Sequence, residues 1–190
     1  MQLSTTRIFK RNIMAHPQQR RFVESIKIIF PKFFREKKIL EVGSLDINGS
    51  VRDLFEDCDY LGIDVGEGQG VDLVCEGQNF NAPNETFDVS LSTECFEHNP
   101  FWLQTFLNMI RVTKSKGLIF FTCATEGRAE HGTTRTSPGD SPLTVGKGWE
   151  YYMNLTERHF YLVDFDSLFN AYSFSTESDF HDLYFFGVKK

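Results

Sequence analysis

The sequence has little to build covalent or metal cross-links from. Its four cysteines, Cys58, Cys75, Cys95 and Cys123, lie far apart and form no C-x-x-C pair. That spacing argues against a disulfide framework or a zinc site and fits reduced thiols in the cytosol. Long hydrophobic runs are missing too: none is long enough to span a bilayer, and no charged-then-apolar leader is read at the start. Nor is there an excess of positive charge. Twenty Lys and Arg stand against 26 Asp and Glu, a net charge of -6, so the chain lacks the basic face that a nucleic-acid backbone demands. The short basic stretches QQRR and FREKK flank helical patterns and read as solvated surface. A G-x-G-x-x-G dinucleotide turn is absent as well. These absences point away from nucleic acid and membrane and toward a cytoplasmic protein.

What is abundant is phenylalanine, 20 in 190 residues, which predicts a phenylalanine-rich interior in a single domain. Residues 1–36 read as an N-terminal helical cap on a domain spanning 37–190. In the cap, Phe22, Val23, Ile26, Ile29 and Phe30 fall on one helical face, and Pro31 ends the run. KILEV is a short buried strand, and Val51, Leu54 and Phe55 form the stripe of a short helix after it. Strands follow at 59–65, 71–74 and 87–93. A helix in NPFWLQTFLNMIRV carries Leu103, Phe106, Leu107 and Ile110 on one face, with Asn99 as cap and Pro100 at the first position. GLIFFTCAT is a fifth strand, apolar throughout as a central parallel strand should be. Residues 126–155 have no clear period, and so long a loop in a small domain is usually functional or disordered. LTERHFYLVDFDSLFNAY carries helical segments, and SFSTESDF and DLYFFGVKK close the chain as a hairpin. Alternating strands and helices predict an α/β, doubly wound, Rossmann-like fold: a mostly parallel seven-stranded sheet with an antiparallel C-terminal hairpin.

In such a sheet a ligand sits beyond the carboxyl ends of the strands, where strand order reverses. Glu41 and Gly43 end the first strand, Asp64 ends the second, Glu76 follows the third, and Thr93 and Glu94 follow the fourth. All would lie along one edge. Asp64, about 20 residues past the first turn, stands where an acid holds ribose hydroxyls. The turn itself, GSLDING, places Asp46 where a phosphate would meet repulsion. A nucleoside cofactor without phosphate, carrying a sulfonium and an ammonium, suits these acids better: S-adenosylmethionine.

The motifs agree. ILEVGSLDINGSVRDLF resembles the first motif of class I S-adenosylmethionine-dependent methyltransferases, particularly the group with small type-11-like domains. YLGIDVGEGQGVDLV resembles the second, CEGQNFNAPNETFDVSLSTECFEHNPFW the segment around the third and fourth strands, and MIRVTKSKGLIFFT the entry to the fifth. The resemblance runs over about residues 37–125. It implies that Glu41, Gly43 and Ser44 shape the pocket for the methionine part, with Thr93 lining that end. It implies that Asp64 binds the ribose, that Val65 packs on adenine, and that Glu76 and the Gly77 backbone meet its amino group. The product would be S-adenosylhomocysteine and the methyl acceptor a small polar molecule. The pattern departs from the family at Asn48–Gly49, at Asn81–Ala82 and at SKG. Cofactor binding without transfer, or a macromolecular acceptor reached through a partner, are therefore the alternatives.

His98, in ECFEH after the fourth strand, is placed for a catalytic general base near the sulfonium, or equally for a helix-start histidine bonded to backbone. Glu94, His131 and Tyr152 are the candidate substrate contacts, with Trp149, Tyr151 and His159 also in or just after the long loop. HNPF resembles the N-P-P-Y motif of amine methyltransferases but lacks the second proline, and helix capping accounts for it. No metal site is expected, because His159 with Asp164 and Asp166 matches no standard ligand spacing.

Overall fold

The computed structural model describes residues 17–190. The first 16 residues of the expected helical cap lie outside them. Among the described residues four α-helices and seven strands follow one another as α1 (Pro17–Ile29), β1 (Lys38–Val42), β2 (Asp59–Asp64), β3 (Leu73–Val74), β4 (Phe87–Thr93), α2 (Trp102–Val112), β5 (Thr113–Ala124), α3 (Pro142–Gly146), α4 (Phe165–Leu168), β6 (Phe169–Glu177) and β7 (Asp182–Lys189). The strands form one sheet in the order β3-β2-β1-β4-β5-β7-β6. β1 runs parallel to both β2 and β4, with Ile39 beside Tyr60 and Val89, and β4 runs parallel to β5. β7 is antiparallel to β5 and β6. This is the predicted mostly parallel, seven-stranded sheet closed by an antiparallel hairpin. Among the described residues no helix is long and apolar enough to cross a membrane.

Successive residues of a strand point to opposite faces, so a central strand buried on both sides must be apolar along its whole length. β1, β4 and β5 follow this except where a buried polar side chain finds a partner, as Ser90 does with Thr113 and Ser92 with the Val42 carbonyl, and their apolar side chains feed two cores. On one face Ile39, Val89, Leu91, Leu118 and Phe120 pack with Val23 and Ile26 of α1 and with Phe33, Phe34 and Phe55. On the other, Leu40, Val42, Ile119, Phe121 and Phe185 pack with Phe106, Met109 and Ile110 of α2 and with Phe160 and Phe169. Among the described residues only α1 and α2 exceed two helical turns. Aromatic rings fill the space that further helices would occupy: Phe121 stacks on Phe160 at 5.3 Å and on Phe185 at 5.2 Å, and Phe106 meets all three edge-on.

Local structure differs from the sequence reading in identifiable ways. No α-helix follows β1, only the 3-10 turn Arg52–Leu54. Asp46 Oδ1 accepts the Gly49 N–H at 2.7 Å, Ser50 Oγ accepts the Arg52 N–H at 3.1 Å, and Gly49 has φ of 121°. These side chain–backbone bonds compete with helix formation in a segment of low helix propensity. In α1, Ile29 is 57% exposed, while Val23 and Ile26 carry the contact. α2 begins at Trp102, because Asn99 Oδ1 accepts the Phe101 N–H at 2.8 Å and closes a separate turn first. Its buried face runs through Trp102, Thr105, Phe106, Met109 and Ile110, which leaves Leu107 at 44% exposure. The final strand pair starts earlier than expected, at Phe169, and α4 is a single turn.

Phe106 is fully buried at the centre of the aromatic cluster. Phe106→Ala is expected to lower unfolding free energy by about 3–5 kcal/mol in urea titration. A loss below about 1 kcal/mol would show that the cluster closes around the cavity.

Candidate functional site

Strand order runs outward in both directions from the β1–β4 pair, and this reversal opens a crevice at the carboxyl ends. A cavity of about 220 Å³ lies there, lined by Glu41 and Gly43 at the end of β1, Asp64 at the end of β2, and Thr93 and Glu94 at the end of β4. Ser44, His98 and His131 also line it. Eight of the residues expected from the sequence therefore meet at one place. Val65, Glu76, Gly77 and Tyr152 do not line it.

Each displaced residue has a physical reason. Gly77 is buried, and a Cβ on it would stand 2.6 Å from Thr105 Cγ2 and 2.8 Å from Val42 Cγ1, so it serves the packing of α2 on β1. Glu76 pairs with Lys147 Nζ at 2.7 Å and accepts from Gln78 and Asn79. Leu143 covers Gly66, directly after Val65, where a Cβ would stand 2.8 Å from Leu143 Cδ2. Residues 140–144 thus roof the cavity, and Lys147 ties their far end to the rim. At about 220 Å³ the cavity is below the roughly 300 Å³ at which sites for drug-sized ligands begin.

The acids are buried and electrostatically loaded. Burial pushes the Glu41 carboxyl up to about 7, opposed by a 2.9 Å hydrogen bond from Tyr60 Oη and by the charge of Arg52. Burial also raises Asp64, against two backbone bonds, from Leu45 N at 3.0 Å and Val65 N at 2.7 Å. The bond from Leu45 clamps the GSLDING turn onto β2, a structural duty in addition to the expected ribose contact. Ser44 Oγ and Glu94 Oε2 are buried at the cavity and have no partner among the described residues. Both are free to meet a polar ligand, as buried polar groups require. Glu94 itself holds a left-handed backbone, φ 50°, at the strand end, the kind of strain that collects at functional sites.

His98 is buried, and desolvation, helped by the charges of His131 and Arg128, holds its imidazole down to about 3. A base so weak is poorly matched to proton abstraction near neutral pH. Its ring lies 4.9 Å from that of His131 and 5.5 Å from that of Tyr152, so the three expected loop and strand-end groups do form one cluster. Tyr152 faces the histidines and bonds through Oη to Ala129 O at 3.1 Å. Sequence reasoning missed Glu97, fully buried beside Glu94 with burial and the Glu94 charge raising it well above a normal carboxyl. The two acids three residues apart in ECFEH were the available signal.

No protein-family model matches the sequence, and no curated protein matches it. Solved structures do match its fold, which is that of the class I S-adenosylmethionine-dependent methyltransferases. Burkholderia thailandensis 1,6-didemethyltoxoflavin-N1-methyltransferase, with 1,6-didemethyltoxoflavin and S-adenosylhomocysteine bound, aligns with a TM-score of 0.63 at 14% identity, over 95% of this chain and 82% of that one. Haemonchus contortus phosphoethanolamine N-methyltransferase 2, with phosphomonomethylethanolamine and S-adenosylhomocysteine, aligns with a TM-score of 0.60 at 12% identity over 92% of this chain and 53% of that one. The cyclase SpnF aligns with a TM-score of 0.58 at 13% identity over 82% of this chain and 59% of that one. At such identities the likeness establishes the fold; reactions vary on a shared fold.

Gly43, at φ 80°, lies so close to the β4 end that a Cβ would stand 2.5 Å from Cys95 Cβ. Gly43→Ala is expected to cost at least about 2 kcal/mol from backbone strain and overpacking together. In a double-mutant cycle with Cys95→Gly, thermal unfolding should show coupling of at least about 1 kcal/mol. Additive effects would mean that the two residues do not meet in solution.

Proposed function

We propose that the protein is a cytoplasmic S-adenosylmethionine-dependent methyltransferase acting on the oxygen or nitrogen of a small polar molecule. The observation that carries this reading is the convergence of Glu41, Asp64 and Glu94, from three different strand ends, on one cavity at the switch point of a methyltransferase-type sheet. Unpartnered Ser44 Oγ in the same wall fits a polar ligand at the methionine end.

Glu41 answers the ammonium, with Ser44 and Thr93 beside it. Asp64 keeps lone pairs beyond its two backbone bonds and takes the ribose hydroxyls. Glu76 receives the adenine amino group once Lys147 and the 140–144 roof move aside. When bound, the cofactor supplies an electrophilic methyl group on a sulfonium. The protein's part is to hold the acceptor in line with it and exclude water, which proximity and orientation make effective without covalent help. Glu94 and His131 contact the acceptor, and Tyr152 backs them. A second reading, cofactor binding without methyl transfer, draws on the likeness to the cyclase SpnF. Methyl transfer from labelled cofactor to any small acceptor would exclude it.

Calorimetric titration with S-adenosylmethionine and S-adenosylhomocysteine, with NAD as control, tests the cofactor. Binding of the two sulfur compounds alone is expected; binding of NAD alone would overturn the reading. Asp64→Ala should weaken cofactor binding by at least about tenfold, the equivalent of one charged hydrogen bond. Unchanged affinity would remove the ribose assignment.

Glu41 sets a pH signature. Held up to about 7 by burial, it is largely protonated in the free protein at pH 6, and an ammonium beside it favours the ionised form. Cofactor binding at pH 6 should therefore release close to one proton, and at pH 8, where Glu41 is already ionised, almost none. Calorimetry in buffers of different ionisation enthalpy reads this directly. Binding enthalpy independent of buffer at pH 6 would place the ammonium elsewhere.

A further inference from the structure

Glu97, His98 and His131 bring together one carboxylate oxygen and two ring nitrogens that all lie within 4.8 Å of one another. Glu97 and His98 are 0% and 3% exposed. Glu97 Oε2, Glu94 Oε2 and His98 Nδ1 have no hydrogen-bond partner among the described residues. Buried polar atoms are normally satisfied; the two carboxyls can satisfy each other only by sharing a proton, and His98 Nδ1 has no partner among the described residues, so the cluster can take an occupant. We propose that Glu97, His98 and His131, with Glu94 beside them, form a binding site for a divalent first-row transition-metal ion such as Mn²⁺ or Zn²⁺.

The donor set selects the ion. Two imidazoles and carboxylates form a mixed nitrogen–oxygen shell, which suits transition metals better than Mg²⁺ or Ca²⁺, whose ligands are oxygens. Bonds of about 2.0–2.2 Å at tetrahedral angles place ligand atoms about 3.3–3.6 Å apart, so the three groups must draw in by up to about 1.5 Å around the ion.

The surroundings orient the donors as metal sites do. His131 Nδ1 stands 3.0 Å from the Ala129 carbonyl oxygen. A carbonyl only accepts, so Nδ1 carries the hydrogen and Nε2 presents its lone pair. Glu97 Oε1 accepts the Ala124 N–H at 3.2 Å, which leaves Oε2 as the donor. Glu94 Oε1 accepts from Thr122 Oγ1 at 2.7 Å, and its carboxyl is close enough to share a hydrogen bond with Glu97. Gly132, with φ 63°, allows the loop to press onto His98; a Cβ there would stand 2.6 Å from His98 Cε1. The cation balances two buried carboxylates whose neighbour Arg128 is already paired with buried Asp182 at 2.9 Å.

His98, His131 and Glu94 line the cavity, so an ion held there polarises an oxygen donor that enters it. That role rests on the methyltransferase reading; the ion's binding does not.

The test is metal binding itself. Protein stripped with a chelator is titrated with Mn²⁺, free ion being read by electron paramagnetic resonance, and dialysed against Zn²⁺ for elemental analysis. One ion per chain is expected. His131→Ala, at a half-buried position, and Glu97→Gln, which keeps the side-chain shape, should each weaken binding by at least about tenfold, with folding checked by circular dichroism. Exposed Glu157→Gln should bind as the parent does. No retained ion, or equal retention by both site variants, would overturn the proposal. S-adenosylhomocysteine titrated into the same samples separates the two readings. Cofactor binding without metal binding defeats only the metal site, and metal binding without cofactor binding defeats only the cofactor assignment.

Discussion

The structure depends on burying both faces of β1, β4 and β5 with few helices to do it. A central parallel strand exposes apolar side chains above and below, and each face needs a layer against it. Among the described residues only α1 and α2 are long enough to supply such layers. The remainder is filled by phenylalanine rings from loops, short turns and the C-terminal hairpin, with Phe160, Phe165, Phe169, Phe174 and Phe185 in mutual contact. Rings of this size bury large apolar areas at small entropic cost. The unusual phenylalanine content and the scarcity of helix are two sides of one solution.

That core fixes where charge goes. Strands packed tightly along their length leave room for carboxylates chiefly near their ends, and parallel strands bring like ends together. Glu41, Asp64 and Glu94 are therefore forced into one neighbourhood, where burial raises all three carboxyls. Acids in that condition gain from any cation that enters. The reading of a sulfonium- and ammonium-bearing cofactor on one side and of a divalent ion on the other both answer the same electrostatic demand. The long segment after β5 completes the arrangement: its start sets His131 against His98, its middle roofs the cavity, and Lys147 latches it to Glu76.

Much of this was legible from sequence because it rests on local pattern. β4 was readable to its end residues, since Phe87, Val89 and Leu91 alternate with polar residues at the strand period. The same holds for the acids at strand ends, whose positions follow once the strands are placed. The helix expected after β1 was not correctly readable, because its outcome depends on competition between helix propensity and the Asp46 and Ser50 side-chain bonds. The start of α2 was misplaced by the same kind of competition at Asn99.

By itself, then, the amino-acid sequence determined the mostly parallel sheet, its antiparallel C-terminal hairpin and the acidic strand ends, because strand periodicity and the preferred handedness of parallel connections act over short distances. The tertiary structure alone decided which of these groups face a common space. Glu76 is turned to Lys147, Gly77 is consumed in packing, and Glu97 and His98 meet His131 across the fold. Such meetings join residues from separate segments, and they are set by how loops and side chains close over the core, which no local pattern encodes.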